Sequence, residues 1–149
     1  MAGLFGSGSR SASAGSSPRP LCDMLLVDDD PFFLNLFSRV GSLVGLKDVQ
    51  MAQTLDELQG SLTRSRFRII FLDHQLLDGT SDSVLAKPSF AKLAQDSEII
   101  VASGFKAAAI QAVYKPFGVK LFLEKPISAK ALQDALTHAL VASRRKIPK

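Results

Sequence analysis

The chain alternates short apolar runs with segments whose apolar residues recur at helical spacing. Such runs are typical of strands covered on both faces, and they predict strands at residues 24–27, 49–52, 67–72, 98–102 and 119–123. After the first run, Phe33, Phe37 and Val40 fall on one helical face. Strands that alternate with helices indicate a parallel sheet with helices on both sides. The pattern therefore predicts an α/β fold of the (βα)5 type, with a doubly wound five-stranded parallel sheet.

Capping residues mark several helix starts. Asp30 stands before a proline, which suits an N-cap followed by the first helical position. Thr54 opens a capping-box pattern, and Ser128 precedes the last predicted helix. A further helix is predicted over residues 84–93, although it contains Pro88, a residue that breaks helices.

The domain organisation follows from a change in composition near residue 20. Residues 1–20 are rich in Ser, Gly and Ala and contain no acid, so they predict a flexible tail. An organellar transit peptide and a vector-derived sequence are alternative interpretations of this segment. The rest predicts one domain over residues 21–145 and a basic tail over 146–149.

Composition and charge bear on which classes of function are expected for this chain. Apolar residues make up 46% and charged residues 21% of the 149 residues, which is ordinary for globular proteins. No apolar run approaches the roughly 20 residues of a membrane span, so no membrane association is expected. The net charge of +4 comes without aromatic interleaving or a DNA-reading motif, so no direct nucleic-acid binding is expected either. The single Cys22 suits a reducing cytosol, and we expect a cytoplasmic protein.

Polar residues whose side chains can take part in a reaction follow the predicted strands. They are Asp28 and Asp29 after the first strand, Asp73 after the third, Ser103 after the fourth and Lys125 after the fifth. In open parallel sheets, ligand sites lie beyond the carboxyl ends of the strands. We therefore expect three carboxylates, a hydroxyl and an ammonium group to converge on one edge of the sheet.

This set of groups suits phosphoryl transfer. Clustered carboxylates need a cation, and oxygen ligands alone favour Mg²⁺. Asp73 could then attack phosphorus, while Lys125 neutralises charge and Ser103 donates a hydrogen bond. Each residue also has an ordinary interpretation, as a helix cap, a turn residue or a surface lysine. The combination at four strand ends favours the chemical one.

Four motifs carry a resemblance to a known family. They are LLVDDDP, FLD before a Leu-Asp-Gly turn, VASG and FLEKPI. In these motifs and in their separations the chain resembles bacterial-type receiver domains of response regulators, over about residues 23–143. The resemblance implies the flavodoxin-like receiver fold for the 21–145 domain and a part in two-component signalling.

The resemblance also implies roles for individual residues. Asp28 and Asp29 match the acidic pair that organises Mg²⁺, and Asp73 matches the phospho-acceptor. Gln75 matches the residue whose backbone carbonyl completes the metal shell. Lys125, which precedes a proline, matches the family's catalytic lysine.

A conformational switch is implied by the same comparison. Ser103 matches the switch hydroxyl, and Gly104 matches the small residue that leaves room for a phosphoryl group. Phe122 falls at the position of the switch aromatic.

The loop after Asp73 departs from the family pattern. It is shorter than the usual receiver loop and lacks the Met-Pro pair found there. This departure bears on the metal contact of Gln75 and on the position of the third helix. His74 is expected to be an exposed loop histidine rather than a catalytic group.

The function implied is that of a phosphoprotein in a phosphorelay. The chain would catalyse only its own phosphoryl acceptance and loss, and is otherwise not an enzyme. Expected partners are a histidine kinase or histidine phosphotransfer protein, and a downstream protein that binds the face of the fourth helix, fifth strand and fifth helix. Two alternatives stay open: a pseudo-receiver that binds partners without phosphate, and a fragment of a hybrid kinase.

Overall fold

The computed structural model describes residues 19–147. Most of the predicted tail of residues 1–20 lies outside this range, as do residues 148 and 149 of the predicted basic tail. Arg19 and Pro20, the last two residues of the segment 1–20, contact the domain. The Arg19 guanidinium donates to the carbonyl of Leu62, and the Pro20 carbonyl accepts from the N–H of Arg66 at 2.8 Å.

The centre of the domain is one parallel sheet. Its strands are β1 (Leu21–Val27), β2 (Val49–Ala52), β3 (Arg66–Asp73), β4 (Glu98–Ser103) and β5 (Leu121–Glu124). Their order across the sheet is β2-β1-β3-β4-β5, and every pairing is parallel. The order reverses at β1, which is the doubly wound arrangement of flavodoxin-like folds. The predicted fold class is therefore confirmed.

Helices cover both faces of the sheet. They are α1 (Pro31–Leu43), α2 (Leu55–Arg64), α3 (Asp82–Leu85), α4 (Ala107–Tyr114) and α5 (Ala129–Lys146). One apolar core packs the sheet against α1 and α5, and a second packs it against α2, α3 and α4. No helix within residues 19–147 is long and apolar enough to cross a membrane.

The predicted caps are present at three helices. The side chain of Asp30 accepts from the N–H of Phe32 at 2.9 Å and starts α1. Thr54 accepts from the N–H of Glu57 at 3.1 Å at the start of α2. Ser128 does the same for α5, where the N–H of Ala131 lies 3.0 Å from its hydroxyl. These bonds satisfy donors that the helix geometry leaves unpaired.

The segment between β3 and β4 differs from its prediction. The single helix predicted over residues 84–93 was wrong. The chain instead forms a short hairpin of Gln75–Leu76 with Gly79–Thr80, then α3, a 3-10 turn at Pro88–Phe90 and one helical turn at Leu93–Asp96. Lys87 is extended because it precedes a proline, and this conformation ends α3.

Candidate functional site

Three carboxylates meet where β1 and β3 end. The two strands pair in register up to Val27 and Leu72, so Asp28 and Asp73 follow these residues side by side at the end of the sheet. Asp28, Asp29 and Asp73 each offer an oxygen to this edge, and these oxygens lie within 4.8 Å of one another. The structure thus brings together the three acids that the sequence predicted for a metal site.

The third acid of the Asp28-Asp29-Asp30 run has a different task. Asp28 is almost fully buried, and one of its oxygens accepts from the N–H of Asp30 at 2.9 Å. The side chain of Asp30 caps α1 and does not belong to the carboxylate cluster. The cap fixes the turn after β1 and thereby holds Asp28 in place.

Lys125 reaches this cluster from the end of β5. Its ammonium nitrogen lies 3.1 Å from a carboxylate oxygen of Asp73 and 3.3 Å from one of Asp28. The backbone N–H of Lys125 donates to the carbonyl of Ser103 at 2.8 Å, and the peptide bond to the following proline is cis. Burial lowers the pKa of Lys125, but the nearby carboxylates outweigh this and hold it above its ordinary value.

Asp73 is an unusual carboxyl group because it is buried among charges. Burial is the largest cause that raises its pKa from 3.8 to about 6, and the carboxylate of Asp28 adds to the rise. Lys125 acts in the opposite direction and offsets part of it. A cation among the three carboxylates would remove the repulsion and favour the ionised form of Asp73.

Ser103 and Gly104 stand at the end of the neighbouring strand. Asp73 pairs with Ala102 in the sheet, so Ser103 lies one position beyond it. Ser103 is buried, and its hydroxyl accepts from the N–H of Phe105 at 2.9 Å. A Cβ atom placed on Gly104 would meet nothing within 4 Å, so this residue leaves open space at the strand end.

Phe122 lies on β5 and is partly buried. It packs against the core that contains α4, with its ring 6.4 Å from the ring of Tyr114. Strand β5 pairs with β4 so that Phe122 lies opposite Val101. The residue is therefore near α4 and on the strand that follows the one carrying Ser103.

Gln75 begins the short hairpin after Asp73. Its backbone acts to lower the pKa of the Asp73 carboxyl group, and its own side chain is exposed. The hairpin is tied to α2, because the Asp78 carboxylate accepts from the N–H of Leu55 at 2.9 Å. This contact closes the shortened loop and fixes Gln75 beside the acid cluster.

Known proteins resemble this chain in sequence and in structure. No family model matches the chain. Among curated proteins, it is similar to the transcriptional regulatory protein LytR of Staphylococcus aureus (strain bovine RF122 / ET3-1), at 29% identity over 129 residues. The similarity covers 78% of this chain and 52% of LytR, so the chain spans about half the length of that relative.

Solved structures share the arrangement of the whole domain. A response regulator receiver domain protein (CheY-like) from Methanospirillum hungatei JF-1 superposes with a TM-score of 0.73 and 21% identity, covering 85% of this chain and 98% of that one. This chain has the receiver-domain fold of response regulators. A response regulator from Burkholderia pseudomallei, solved with a phosphorylated aspartic acid, a calcium ion and citrate, has the same receiver fold. It gives a TM-score of 0.67 at 24% identity, with coverages of 85% and 73%.

Within this receiver fold, His74 is not the exposed loop residue that was expected. That expectation was wrong, since only 8% of His74 is exposed. Its Nδ1 atom forms a hydrogen bond of 2.8 Å with the hydroxyl of Tyr114, which is fully buried at the end of α4. Burial is the main cause that raises the pKa of Tyr114 far above its usual value, and the charge of Asp82 adds to it.

Sequence reasoning also missed Ser81. Its hydroxyl donates to the carbonyl of Asp73 at 2.6 Å, and its N–H donates to the carbonyl of His74 at 2.8 Å. Ser81 is fully buried and stands just before α3. The turn residues around Asp78 were the nearest signal, but they did not show that the chain folds back onto Asp73.

Proposed function

We propose that this domain accepts a phosphoryl group on Asp73 in the presence of Mg²⁺, as the receiver of a two-component phosphorelay. One observation carries the proposal: the carboxylates of Asp28, Asp29 and Asp73 lie within 4.8 Å of one another, with the Lys125 ammonium 3.1 Å from Asp73. The phosphorylated aspartic acid in the Burkholderia pseudomallei response regulator supports the same chemistry on this fold.

The residues present fit a hard divalent cation. Asp28, Asp29, Asp73 and the backbone carbonyl of Gln75 are the ligands that we propose, and all supply oxygen, which Mg²⁺ prefers. Burial and the neighbouring carboxylate of Asp28 raise the pKa of Asp73, and a bound cation would oppose both effects. When bound, Mg²⁺ would neutralise charge on the carboxylates and on the phosphoryl oxygens.

The proposed reaction is an exchange at phosphorus. A carboxylate oxygen of Asp73 forms the new P–O bond while the P–N bond to the donor histidine breaks, and the imidazole keeps the electron pair and takes up a proton. Lys125 already contacts Asp73 at 3.1 Å and would stabilise charge on the phosphoryl oxygens. The Ser103 hydroxyl would donate to another of these oxygens.

The same step would change the conformation of the domain. A phosphoryl group on Asp73 would draw the hydroxyl of Ser103 away from the N–H of Phe105, its present partner. Phe122 would then turn inward, and the surface formed by α4, β5 and α5 would change. We propose that a downstream protein binds this surface.

The proposed partners and location follow from this role. A histidine kinase or histidine phosphotransfer protein would donate the phosphoryl group in the cytoplasm, where the single Cys22 stays reduced. The domain would catalyse only its own phosphorylation and dephosphorylation. Within this proposal residues 21–145 are the receiver domain. Arg19 and Pro20 contact this domain rather than belonging to a tail, and Lys146 is the last residue of α5 rather than the first of a basic tail.

Titration with beryllofluoride, a phosphoryl mimic, tests the proposal. NMR spectra of the wild type should show saturable binding with Mg²⁺ and none with EDTA. Asp73→Asn should bind no beryllofluoride, although its spectrum should stay that of a folded protein. A wild type that is folded and insensitive to beryllofluoride with Mg²⁺ would favour a phosphate-independent interaction module instead.

A further inference from the structure

His74 links the proposed acceptor to helix α4. Its imidazole is buried, and the 2.8 Å hydrogen bond to Tyr114 joins it to the last residue of that helix. The ring of Phe105, just before α4, also packs edge-on against the imidazole, with ring centres 6.1 Å apart. One side chain next to Asp73 therefore contacts α4 near both of its ends.

The backbones of His74 and Asp73 are joined through Ser81. Its N–H donates to the carbonyl of Ala102 on β4 at 2.9 Å, and its carbonyl accepts from the N–H of Ser81 at 2.8 Å. The hydroxyl of Ser81 donates to the carbonyl of Asp73. Because these bonds fix both residues to one another, a shift at Asp73 displaces the imidazole as well.

Helix α4 has few other attachments. It has eight residues, of which Ile110 and Tyr114 are buried. Its N-terminus has no side-chain cap among residues 19–147, whereas α1, α2 and α5 each have one. Short, lightly packed elements are those that open or move at low free-energy cost. The bond between Tyr114 and His74 thus adds a polar contact to the apolar packing of Ile110 and Tyr114 that positions α4.

A second acceptor lies close to the same imidazole nitrogen. The Oδ1 atom of Asp82 is 4.0 Å from Nδ1 of His74. This oxygen is buried and has no hydrogen-bond partner within the part of the chain that the structure describes. A buried acceptor without a partner costs free energy, so with a proton on Nδ1 a small displacement of the imidazole toward Asp82 would recover a hydrogen bond.

We propose that His74 carries a proton on Nδ1 and is a positioning residue: it holds α4 by donating to the hydroxyl of Tyr114, and it exchanges this acceptor for Asp82 when Asp73 is phosphorylated. The inference rests on the proposed function. Two arrangements of one hydrogen bond give the domain a two-state element beside the acceptor, and phosphorylation shifts the population toward the second state. The released Tyr114 then frees α4 and the surface next to it, including Phe122.

Two variants should shift the equilibrium between these two states of His74 in opposite directions. Tyr114→Phe removes the hydroxyl that stabilises the resting state, so the affinity for beryllofluoride at saturating Mg²⁺ should rise several-fold, up to about five-fold for one net hydrogen bond. Asp82→Ala removes the second acceptor and should lower this affinity by a similar factor. The loss of the negative charge of Asp82 would by itself raise the affinity for an anion such as beryllofluoride. A lower affinity in Asp82→Ala therefore reports the loss of the hydrogen-bond acceptor.

Hydrogen exchange measures the resting contact without any ligand. Amide exchange over residues 107–114 should be about five-fold faster in Tyr114→Phe than in the wild type. His74→Phe should give a similar increase, and the double variant should add little to either. Ser97→Ala, which removes a buried hydroxyl that donates to the carbonyl of Phe67 at the other end of the sheet, should leave exchange in α4 unchanged.

The outcomes distinguish this inference from the proposed function. Opposite affinity changes in Tyr114→Phe and Asp82→Ala, with faster exchange in α4, support the exchange of partners. Equal affinities in all three proteins, or changes in the same direction, overturn it while the proposed function stands. A folded wild type that binds no beryllofluoride overturns the proposed function, and unchanged α4 exchange in Tyr114→Phe then overturns the resting contact as well.

Discussion

Asp73 shows how a single buried carboxylate prepares a site for chemistry at the expense of stability. The group lies at the end of a buried strand, 6% exposed, with Asp28 beside it. Its ionised form is disfavoured by burial and by repulsion, and Lys125 is the main group that offsets these effects. In the apo domain the group is thus held in a state that a cation or a covalent phosphoryl group would relieve.

The pH dependence of stability should reveal this strain. The pKa of Asp73 is about 6 in the folded domain against 3.8 as its ordinary value, so between these values the folded state binds more protons than the unfolded state. Its contribution therefore makes the apo protein less stable as pH rises from about 4 to 6. Asp73→Asn, which cannot ionise, should be more stable than the wild type at pH 7 by about 2 kcal/mol.

Urea unfolding in EDTA measures this difference across the pH range. The stability difference between the two proteins should shrink toward low pH and largely disappear near pH 4. Carboxylates that do not contact Asp73 titrate alike in both proteins and cancel in the comparison. A difference that is independent of pH would contradict the assigned origin of the strain.

Lys125 should matter to folding as well as to phosphoryl transfer. Lys125→Met would leave Asp28 and Asp73 without their cation, and we expect the apo domain to lose about 2 kcal/mol at neutral pH. The loss is moderate because Lys125 keeps some exposure and Asp73 can take up a proton. Chemical denaturation in EDTA measures the change.

A matched control for this variant is Lys130→Ala. Lys130 pairs with Asp134 at 3.5 Å on the surface of α5, where both side chains are mostly exposed. Exposed ion pairs contribute little, so no measurable loss is expected. Equal losses for the two lysines would show that the cluster at the strand ends does not depend on Lys125.

At the scale of elements, the sequence pattern predicted the sheet and the main helices correctly but not the segment after β3. Apolar runs and caps such as Asp30 and Ser128 are local signals, and the structure confirms the elements that they predicted. The hairpin after Asp73 depends on a distant contact, in which Asp78 accepts from the N–H of Leu55. No local pattern encodes that contact, and Pro88 alone did not show where the helix would break.

Some residues of the candidate site could also be predicted from the sequence, and others could not. Asp28, Asp29, Asp73 and Lys125 could be brought together by topology alone, because parallel strands end at one edge. His74 and Tyr114 could not, since their contact depends on how α4 packs across the sheet. The expectation of an exposed histidine failed because loop position was taken as a sign of exposure.

Gly79 tests whether the hairpin is held against α2. Its φ of +139° lies where side chains are strained, and an added Cβ would come within 2.8 Å of the Leu55 side chain. Gly79→Ala should therefore destabilise the domain by about 2 kcal/mol and weaken Mg²⁺ binding, because Gln75 lies on the same hairpin. Thermal unfolding and metal titration measure the two effects.

Gly60→Ala is the control within α2. The added methyl would meet only the mobile end of Arg64, and alanine favours the helix over glycine. The stability of this variant should be unchanged or higher. If Gly79→Ala were tolerated as well as Gly60→Ala, the hairpin would not be fixed in the conformation described.

At the scale of the whole molecule, the sheet separates two packed cores. The core with α1 and α5 contains the two longest helices, whereas the core with α2, α3 and α4 contains shorter ones. The acid cluster lies at the end of the strands between them. We therefore expect phosphorylation to affect mainly the β4 to β5 region rather than the domain as a whole.

Ser103→Ala tests the direction of this response. With beryllofluoride and Mg²⁺, wild-type NMR shift changes should concentrate in residues 103–125 and be small over residues 50–65. The variant should still bind beryllofluoride, because Ser103 lies outside the carboxylate cluster, but the changes in α4 and β5 should be reduced. Full-sized changes in the variant would exclude Ser103 as the switch hydroxyl.

The central claim is that Asp73 is a phospho-acceptor, and intact mass measurement after incubation with acetyl phosphate tests it most directly. The account predicts that the wild type gains one phosphoryl group with Mg²⁺, that hydroxylamine removes it, and that EDTA or Asp73→Asn prevents the gain. A folded wild type that gains no mass with Mg²⁺, or an Asp73→Asn variant that is labelled as fully as the wild type, would contradict it.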